Sequence, residues 1–181
     1  MEQYILLLRG INVSGKNIIS MNELKCELEL LGYVNVITYL NSGNVIFNSS
    51  KTKQEIIVEV FDMIKNKFNL EIPIYVITSN NLKSILDKSP KWWGTSNKEI
   101  YDNIIFMLPN TNYKEVCDVV GSPSENIEKI EEYNNVIFWS YDLKNYRKSN
   151  WWVKTASTSI KDKITIRTAN TVRKLIDICF K

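Results

Sequence analysis

Residues 36–47 read Val36-Ile37-Thr38-Tyr39-Leu40-Asn41-Ser42-Gly43-Asn44-Val45-Ile46-Phe47. Val36–Leu40 and Val45–Phe47 have the β-branched and aromatic content of strands, and Asn41-Ser42-Gly43 supplies a hairpin turn between them. Upstream, Ser20-Met21-Asn22-Glu23 is a capping box, in which Ser20 accepts from the Glu23 amide and Glu23 reaches back. Met21, Leu24, Leu28 and Leu31 follow at helical spacing, and Gly32 supplies the stop. Before them, Tyr4–Leu8 is an apolar run bounded by Arg9-Gly10, the pattern of a central strand. Downstream, Thr52-Lys53-Gln54-Glu55 is a second capping box, with Ile57, Val60, Phe61, Ile64 and Phe68 as the apolar stripe behind it. Pro73–Ile77 closes the unit as a strand. The order is β-α-β-β-α-β, the ferredoxin-like pattern.

The second half repeats this order. Ser79–Lys88 reads as a short helix, and Ser89–Asn97, with its Pro, Gly and polar residues, as a linker. Asn103–Leu108 is a strand, and Thr111–Val120 is a helix stopped at Gly121-Ser122-Pro123. Asn126–Ile130 and Val136–Trp139 are strands around Tyr133-Asn134-Asn135. Ser149–Thr158 is a helix, Ile164–Arg167 a strand and Thr171–Cys179 a final helix. Asn44-Val45-Ile46-Phe47 recurs as Asn135-Val136-Ile137-Phe138, at the second strand of the hairpin in both halves. The expected fold is α+β: two ferredoxin-like halves related by duplication, residues 1–88 and 98–181 about an 89–97 linker.

The chain has 181 residues, 44% hydrophobic and 24% charged, which suffices for one sizeable core or two small ones. It has no histidine. That excludes Ser-His-Asp and Cys-His catalysis, His-ligated metals and a histidine general base. Any acid–base chemistry falls to Lys, Arg, Tyr or a carboxylate. Cys26, Cys117 and Cys179 are scattered with no CxxC spacing, so they read as reduced, buried thiols of a cytoplasmic protein. No D-x-D or His/Cys spacing suggests a metal, and no cofactor is expected. No apolar run approaches ~18 residues, so no membrane span is expected.

Charge is uneven. Residues 91–142 carry four basic and nine acidic side chains, and residues 143–181 carry ten basic and two acidic. The basic end either folds against the acidic 115–132 stretch or meets an anionic partner.

Three polar clusters are candidates for binding. The first is Arg9-Gly10-Ile11-Asn12-Val13-Ser14-Gly15-Lys16-Asn17, between a strand and a helix. Its glycines let backbone amides approach a ligand, Arg9 and Lys16 supply charge, and Asn12 and Asn17 supply amide donors. Gly10, Gly15 and Lys16 fit the phosphate-loop spacing, but Asn17 stands where a Ser or Thr must hold magnesium. Nucleotide triphosphate hydrolysis is not expected. The second cluster is the turn Asn41, Ser42, Gly43 and Asn44. The third is Arg167-Thr168-Ala169-Asn170-Thr171 at the start of the last helix, with Thr168 or Asn170 as cap. Arg173 and Lys174 in the first turn, where the helix dipole disfavours cations, suggest an anion partner.

Aromatics also interleave with cations in Tyr146-Arg147-Lys148-Ser149-Asn150-Trp151-Trp152-Val153-Lys154. That is how a single-stranded nucleic-acid platform reads, with Arg147, Lys148, Trp151 or Trp152, and Lys154 as contacts. Adjacent helical residues point about 100° apart, so only one Trp of the pair need be buried.

Leu7-Leu8-Arg9-Gly10-Ile11-Asn12-Val13, Gly15-Lys16-Asn17, Tyr39-Leu40-Asn41-Ser42-Gly43-Asn44-Val45 and Asn170-Thr171-Val172-Arg173-Lys174-Leu175 together resemble a bacterial family catalogued as domain of unknown function 1697. The resemblance implies a two-part α+β fold and kinship, with no assigned activity. The sequence departs from the family at Ser14, where glycine is usual, and at Ala169, where tryptophan is usual.

Three functional readings follow. The leading one is binding of a phosphate-bearing or other anionic small molecule by Arg9, Asn12, Lys16, Asn17, Asn41, Ser42, Asn44, Arg167, Asn170 and Thr171. The second is nucleic-acid binding by the 143–174 segment. The third is a protein-interaction module without catalysis.

Overall fold

The structure, a computed structural model, describes residues 1–181. It divides into two compact units, Met1–Lys83 with Leu175–Lys181, and Ser84–Lys174. The first unit runs β1 (Glu2–Leu8), α1 (Met21–Leu30), β2 (Val34–Tyr39), β3 (Asn44–Ser49), α2 (Lys53–Phe68) and β4 (Ile74–Thr78), and α3 (Ser79–Leu86) follows. Its sheet has the order β2-β3-β1-β4 with every pairing antiparallel. Leu6 of β1 lies opposite Val45 of β3 and Val76 of β4. Tyr4, Leu6, Leu8, Val45, Phe47 and Val76 pack with Leu24 and Leu28 of α1 and Ile56, Val60 and Ile64 of α2. The alternate residues Ile5, Leu7, Ile46 and Ile77 are buried as well. A strand buried on both faces has no polar alternation, which is why β1 reads as one apolar run.

The α2 capping box forms completely: Thr52 accepts from the Glu55 amide, and the Glu55 carboxylate accepts from the Thr52 amide at 2.7 Å. The α1 box forms only in half. Ser20 accepts from the Glu23 amide at 3.4 Å, and the Glu23 side chain does not reach back. The α2 stripe is rotated from its expected position. Ile56, Val60, Met63 and Ile64 are buried, whereas Ile57, Phe61 and Phe68 are only partly so. α2 ends at Asn69, whose left-handed backbone (φ 55) substitutes for the usual glycine.

The second unit runs β5 (Ile100–Met107), α4 (Tyr113–Val120), β6 (Glu128–Tyr133), β7 (Val136–Asp142), a 3-10 turn (Leu143–Lys148), α5 (Asn150–Ser157), a second 3-10 turn (Ser159–Asp162), β8 (Ile164–Thr168) and the start of α6 (Ala169–Cys179), whose residues from Leu175 onward are counted with the first unit. Its sheet has the order β6-β7-β5-β8, again antiparallel throughout. Each unit is therefore a four-stranded sheet with the ferredoxin-like order, as expected. Equal order in both is what a duplication would leave.

The repeated quartet does not occupy equal positions, however. Val45 and Phe47 face the helices of their unit, whereas in the second unit Ile137 and Trp139 do so. Leu6 opposes Val45 and the corresponding Ile105 opposes Ile137, so the match is out of step by one residue. A one-residue slip moves every side chain to the other face. Its cause lies in the turns. Asn134 and Asn135, both at positive φ (51 and 67), make a two-residue hairpin in which Tyr133 opposes Val136. In the first unit Tyr39 opposes Asn44 across a longer loop. Asn44 is thus a strand residue and Asn135 a turn residue.

The irregular 89–97 stretch holds Trp93 buried: its indole donates to the Asn103 oxygen at 2.6 Å, and its ring meets Phe138 edge-on. All three cysteines are free, but the expected burial is not found: Cys26 is exposed and Cys117 and Cys179 are half-buried. No helix is long and apolar enough to cross a membrane.

Candidate functional site

The chain leaves β1 between two anchors, the Leu8 amide donating to the Gly43 oxygen at 2.8 Å and the Arg9 amide to the Pro73 oxygen at 3.1 Å. Gly10, Asn12, Ser14, Gly15 and Asn17 then all adopt positive φ. Asn tolerates this region because its short side chain bonds locally. The result is a miniature hairpin. Asn12 donates to Asn17 (3.1 Å), Lys16 donates to Val13 (2.9 Å), and Ser14 and Gly15 form the tip. Two successive positive φ values (49 and 74) give that tip the conformation of a type I′ turn. Buried Ile11 and Ile19 hold the two ends down.

The asparagines hold this loop in place. The Asn12 amide nitrogen donates to Ile19 O and Asn41 O, both at 2.9 Å, and its oxygen accepts from the Ile19 amide. Asn17 donates to Gly10 O at 2.9 Å. Fully buried Asn44 donates to Tyr39 O at 3.0 Å and to the Ser42 hydroxyl at 2.9 Å. The first two polar clusters therefore meet, through Asn12 and Asn41. The Lys16 side chain and the tip amides of Ser14 and Gly15 face solvent with no partner in the protein. No side chain within 4 Å crowds Gly10 or Gly15, so these glycines serve backbone conformation.

The third cluster belongs to the second unit. Thr168 caps α6: its hydroxyl accepts from the Thr171 amide at 3.2 Å and lies 2.9 Å from the Thr171 hydroxyl. Asn170 is exposed and does not cap. Buried Arg167 donates to the Thr165 hydroxyl (3.0 Å) and to Ile166 O (2.9 Å). Because α6 begins at Ala169, Arg173 falls beyond the first turn, contrary to expectation. Its guanidinium sits over the Trp93 ring and donates to Gly94 O, so a carbonyl and an indole, rather than an anion, satisfy it. A recess of about 300 Å³ opens at the start of α6. Thr95, Ser96 and Lys98 line it on one side, Thr168 and Asn170 on the other, with Asp102 beside them. Asp102 is engaged by the Ser140 hydroxyl, whereas Lys98 has no partner.

The basic segment separates its two tryptophans. Trp151 is fully buried, its indole donating to Gly121 O at 3.0 Å. It offers no stacking face, which leaves Trp152 as the exposed member of the pair. Trp152 is 40% exposed, and Arg147 and Lys148 are exposed as well. Lys154 is half-buried against the end of α4, near Gly121. Of the tail cations, Lys163 reaches back into the acidic stretch, to Glu115.

Sequence reasoning missed Glu128. Its buried carboxylate accepts from the Trp151 amide at 3.1 and 3.3 Å and so caps α5 from a neighbouring strand. An isolated acid in a strand carries no local signal for such a role. No group of three or more Cys, Asp or Glu side chains is placed to hold a metal.

The fold and these clusters define a two-unit α+β protein built on paired ferredoxin-like sheets, with polar loops at the strand ends. The chain belongs to the family described as Protein of unknown function (DUF1697), whose profile matches residues 1–138. It is similar over 98% of both chains to the conserved bacterial protein SP0830 from Streptococcus pneumoniae, at 27% identity and a TM-score of 0.86. No curated protein matches.

Proposed function

We propose that this protein binds a small anionic molecule, such as a phosphate ester, in the recess at the start of α6. The observation that carries this reading is Lys98, a cation without a carboxylate partner, in a cavity shared with Thr95, Ser96, Thr168 and Asn170. Hydroxyl, amide and ammonium donors converging on a helix start form an anion-binding chemistry. The Arg9–Asn17 loop is the second place for the same ligand, through Lys16 and the free tip amides. Asn12 and Asn17 there act as the frame that presents them. The supported activity is binding, since no activated nucleophile and base are paired in either place.

Calorimetric titration with inorganic phosphate, pyrophosphate and nucleoside monophosphates tests this, with Lys98→Ala and Lys16→Ala alongside the wild type. Saturable binding lost in Lys98→Ala supports the recess. Binding lost only in Lys16→Ala moves the site to the hairpin. No binding of any of these anions overturns the reading.

A further inference from the structure

The 3-10 turn Leu143–Lys148 and the first turn of α5 present aromatic and cationic side chains on one surface, built by caps beneath it. Asp142 accepts from the Lys144 amide at 2.6 Å and from the Asn145 amide at 3.3 Å. Ser149 accepts from the Trp152 amide at 2.9 Å, and Glu128 holds the Trp151 amide. With Trp151 fixed in the core, its neighbour Trp152 must turn outward by about 100°. Tyr146 meets the Trp152 ring edge-on, centroids 4.8 Å apart at 76°. Arg147 lies over the Tyr146 ring at 5.6 Å and donates from Nε to the Tyr146 hydroxyl at 3.0 Å. The guanidinium is thereby held beside the aromatic pair.

No carboxylate pairs with Arg147 or Lys148. Glu99 pairs with Lys144 at 2.5 Å, and Asp142 and Glu128 accept from backbone amides. An indole and a guanidinium held on the same aromatic pair, with exposed Lys148 next in the chain, are complementary to a chain carrying both flat apolar rings and regular negative charge.

We propose that this surface binds single-stranded nucleic acid, one base stacking on Trp152 and the adjoining phosphates meeting Arg147 and Lys148. A duplex hides its base faces, so the strand must be single. The surface is independent of the anion recess, and either can fail without the other.

The test is fluorescence anisotropy of the full chain with labelled single strands of about 12 nucleotides, DNA and RNA, across a salt series. Binding should weaken linearly in log salt, and Arg147→Ala with Lys148→Ala should flatten that slope by about 1.4, two phosphates at roughly 0.7 each. Trp152→Ala should lose roughly 5- to 150-fold in affinity, and Trp152→Phe should keep most of it. If Trp152→Ala fails to fold by circular dichroism, the Phe variant and the salt slope still decide. Unchanged affinity in Trp152→Ala, or equal competition by polyphosphate, overturns the proposal. So does binding of polyglutamate or anionic vesicles without binding of the oligonucleotides.

Discussion

The side-chain amide of Asn12 donates to the backbone oxygen of Asn41 at 2.9 Å, so the loop leaving β1 is tied to the turn between β2 and β3. The same side chain makes two further bonds, to Ile19 O and from the Ile19 amide. Asn12 also sits at φ 55, which alanine adopts only at a cost. Asn12→Ala should lower unfolding free energy by about 2–4 kcal/mol, combining lost bonds with backbone strain. Asn12→Gly loses the bonds without the strain and should cost about 1 kcal/mol less. Urea unfolding separates the two. Equal costs would show that strain contributes nothing.

Gly43 and Gly15 have nearly the same φ, 73 and 74, but different surroundings. A Cβ at Gly43 would lie 2.6 Å from Leu8 Cβ and 3.0 Å from Ile11 Cδ1, while one at Gly15 would meet nothing within 4 Å. Gly15→Ala should cost about 1–2 kcal/mol from strain alone. Gly43→Ala should cost about 1–3 kcal/mol more, because the buried Leu8 must shift. Thermal melts rank the two, and the reverse order refutes the Leu8 clash.

Glu128 tests the link between β6 and α5. Removing its carboxylate leaves the Trp151 amide buried without an acceptor. Glu128→Ala should cost about 1.5–3 kcal/mol, the range for hydrogen bonds to charged groups, and Glu128→Gln less. Denaturant unfolding of both variants checks this. A neutral Glu128→Ala would show that the cap adds nothing to stability.

Glu55 makes the α2 cap sensitive to pH. The Thr52 hydroxyl and then the Thr52 amide hold its carboxyl below the ordinary value of 4.5. A pKa lowered by folding contributes stability above the unfolded value and loses it as pH falls through the folded value. The melting difference between wild type and Glu55→Gln should therefore be full at neutral pH and vanish below the usual carboxylate range. A difference that stays constant down to strong acid rules this out.

The thiols should separate by reactivity. Cys26 is exposed, whereas burial pushes the half-buried Cys179 thiol up to about 11. Labelling the native protein with a chromogenic disulfide at neutral pH should show one fast group. Cys26→Ser should remove that fast phase. Its persistence would place the reactive thiol at Cys117 or Cys179.

Much of the fold is written in short windows. Thr52 and Glu55 are three residues apart, and their reciprocal bonds need no other part of the chain. The type I′ pairs Ser14-Gly15 and Asn134-Asn135 are equally local, as is the stop at Gly121. The identical strand order of the two units follows from the repeated sequence of elements with their short connections. The candidate site was less legible. Asn12 reads as a free donor in sequence, yet its acceptors are seven and twenty-nine residues away. The recess at α6 is lined by residues as far apart in the chain as Lys98 and Asn170.

From sequence alone, then, come the elements, their order, the two-unit α+β class and the exclusion of histidine chemistry. Tertiary structure alone decided that Val45 and Val136 face opposite sides of their sheets, that Ile56 rather than Ile57 is buried, and that Trp151 turns inward while Trp152 faces solvent. The reason is one of range. Caps, turns and periodicity are set by bonds within a few residues. The face a side chain presents, and whether its donors stay free, are set by strand register and by partners far along the chain.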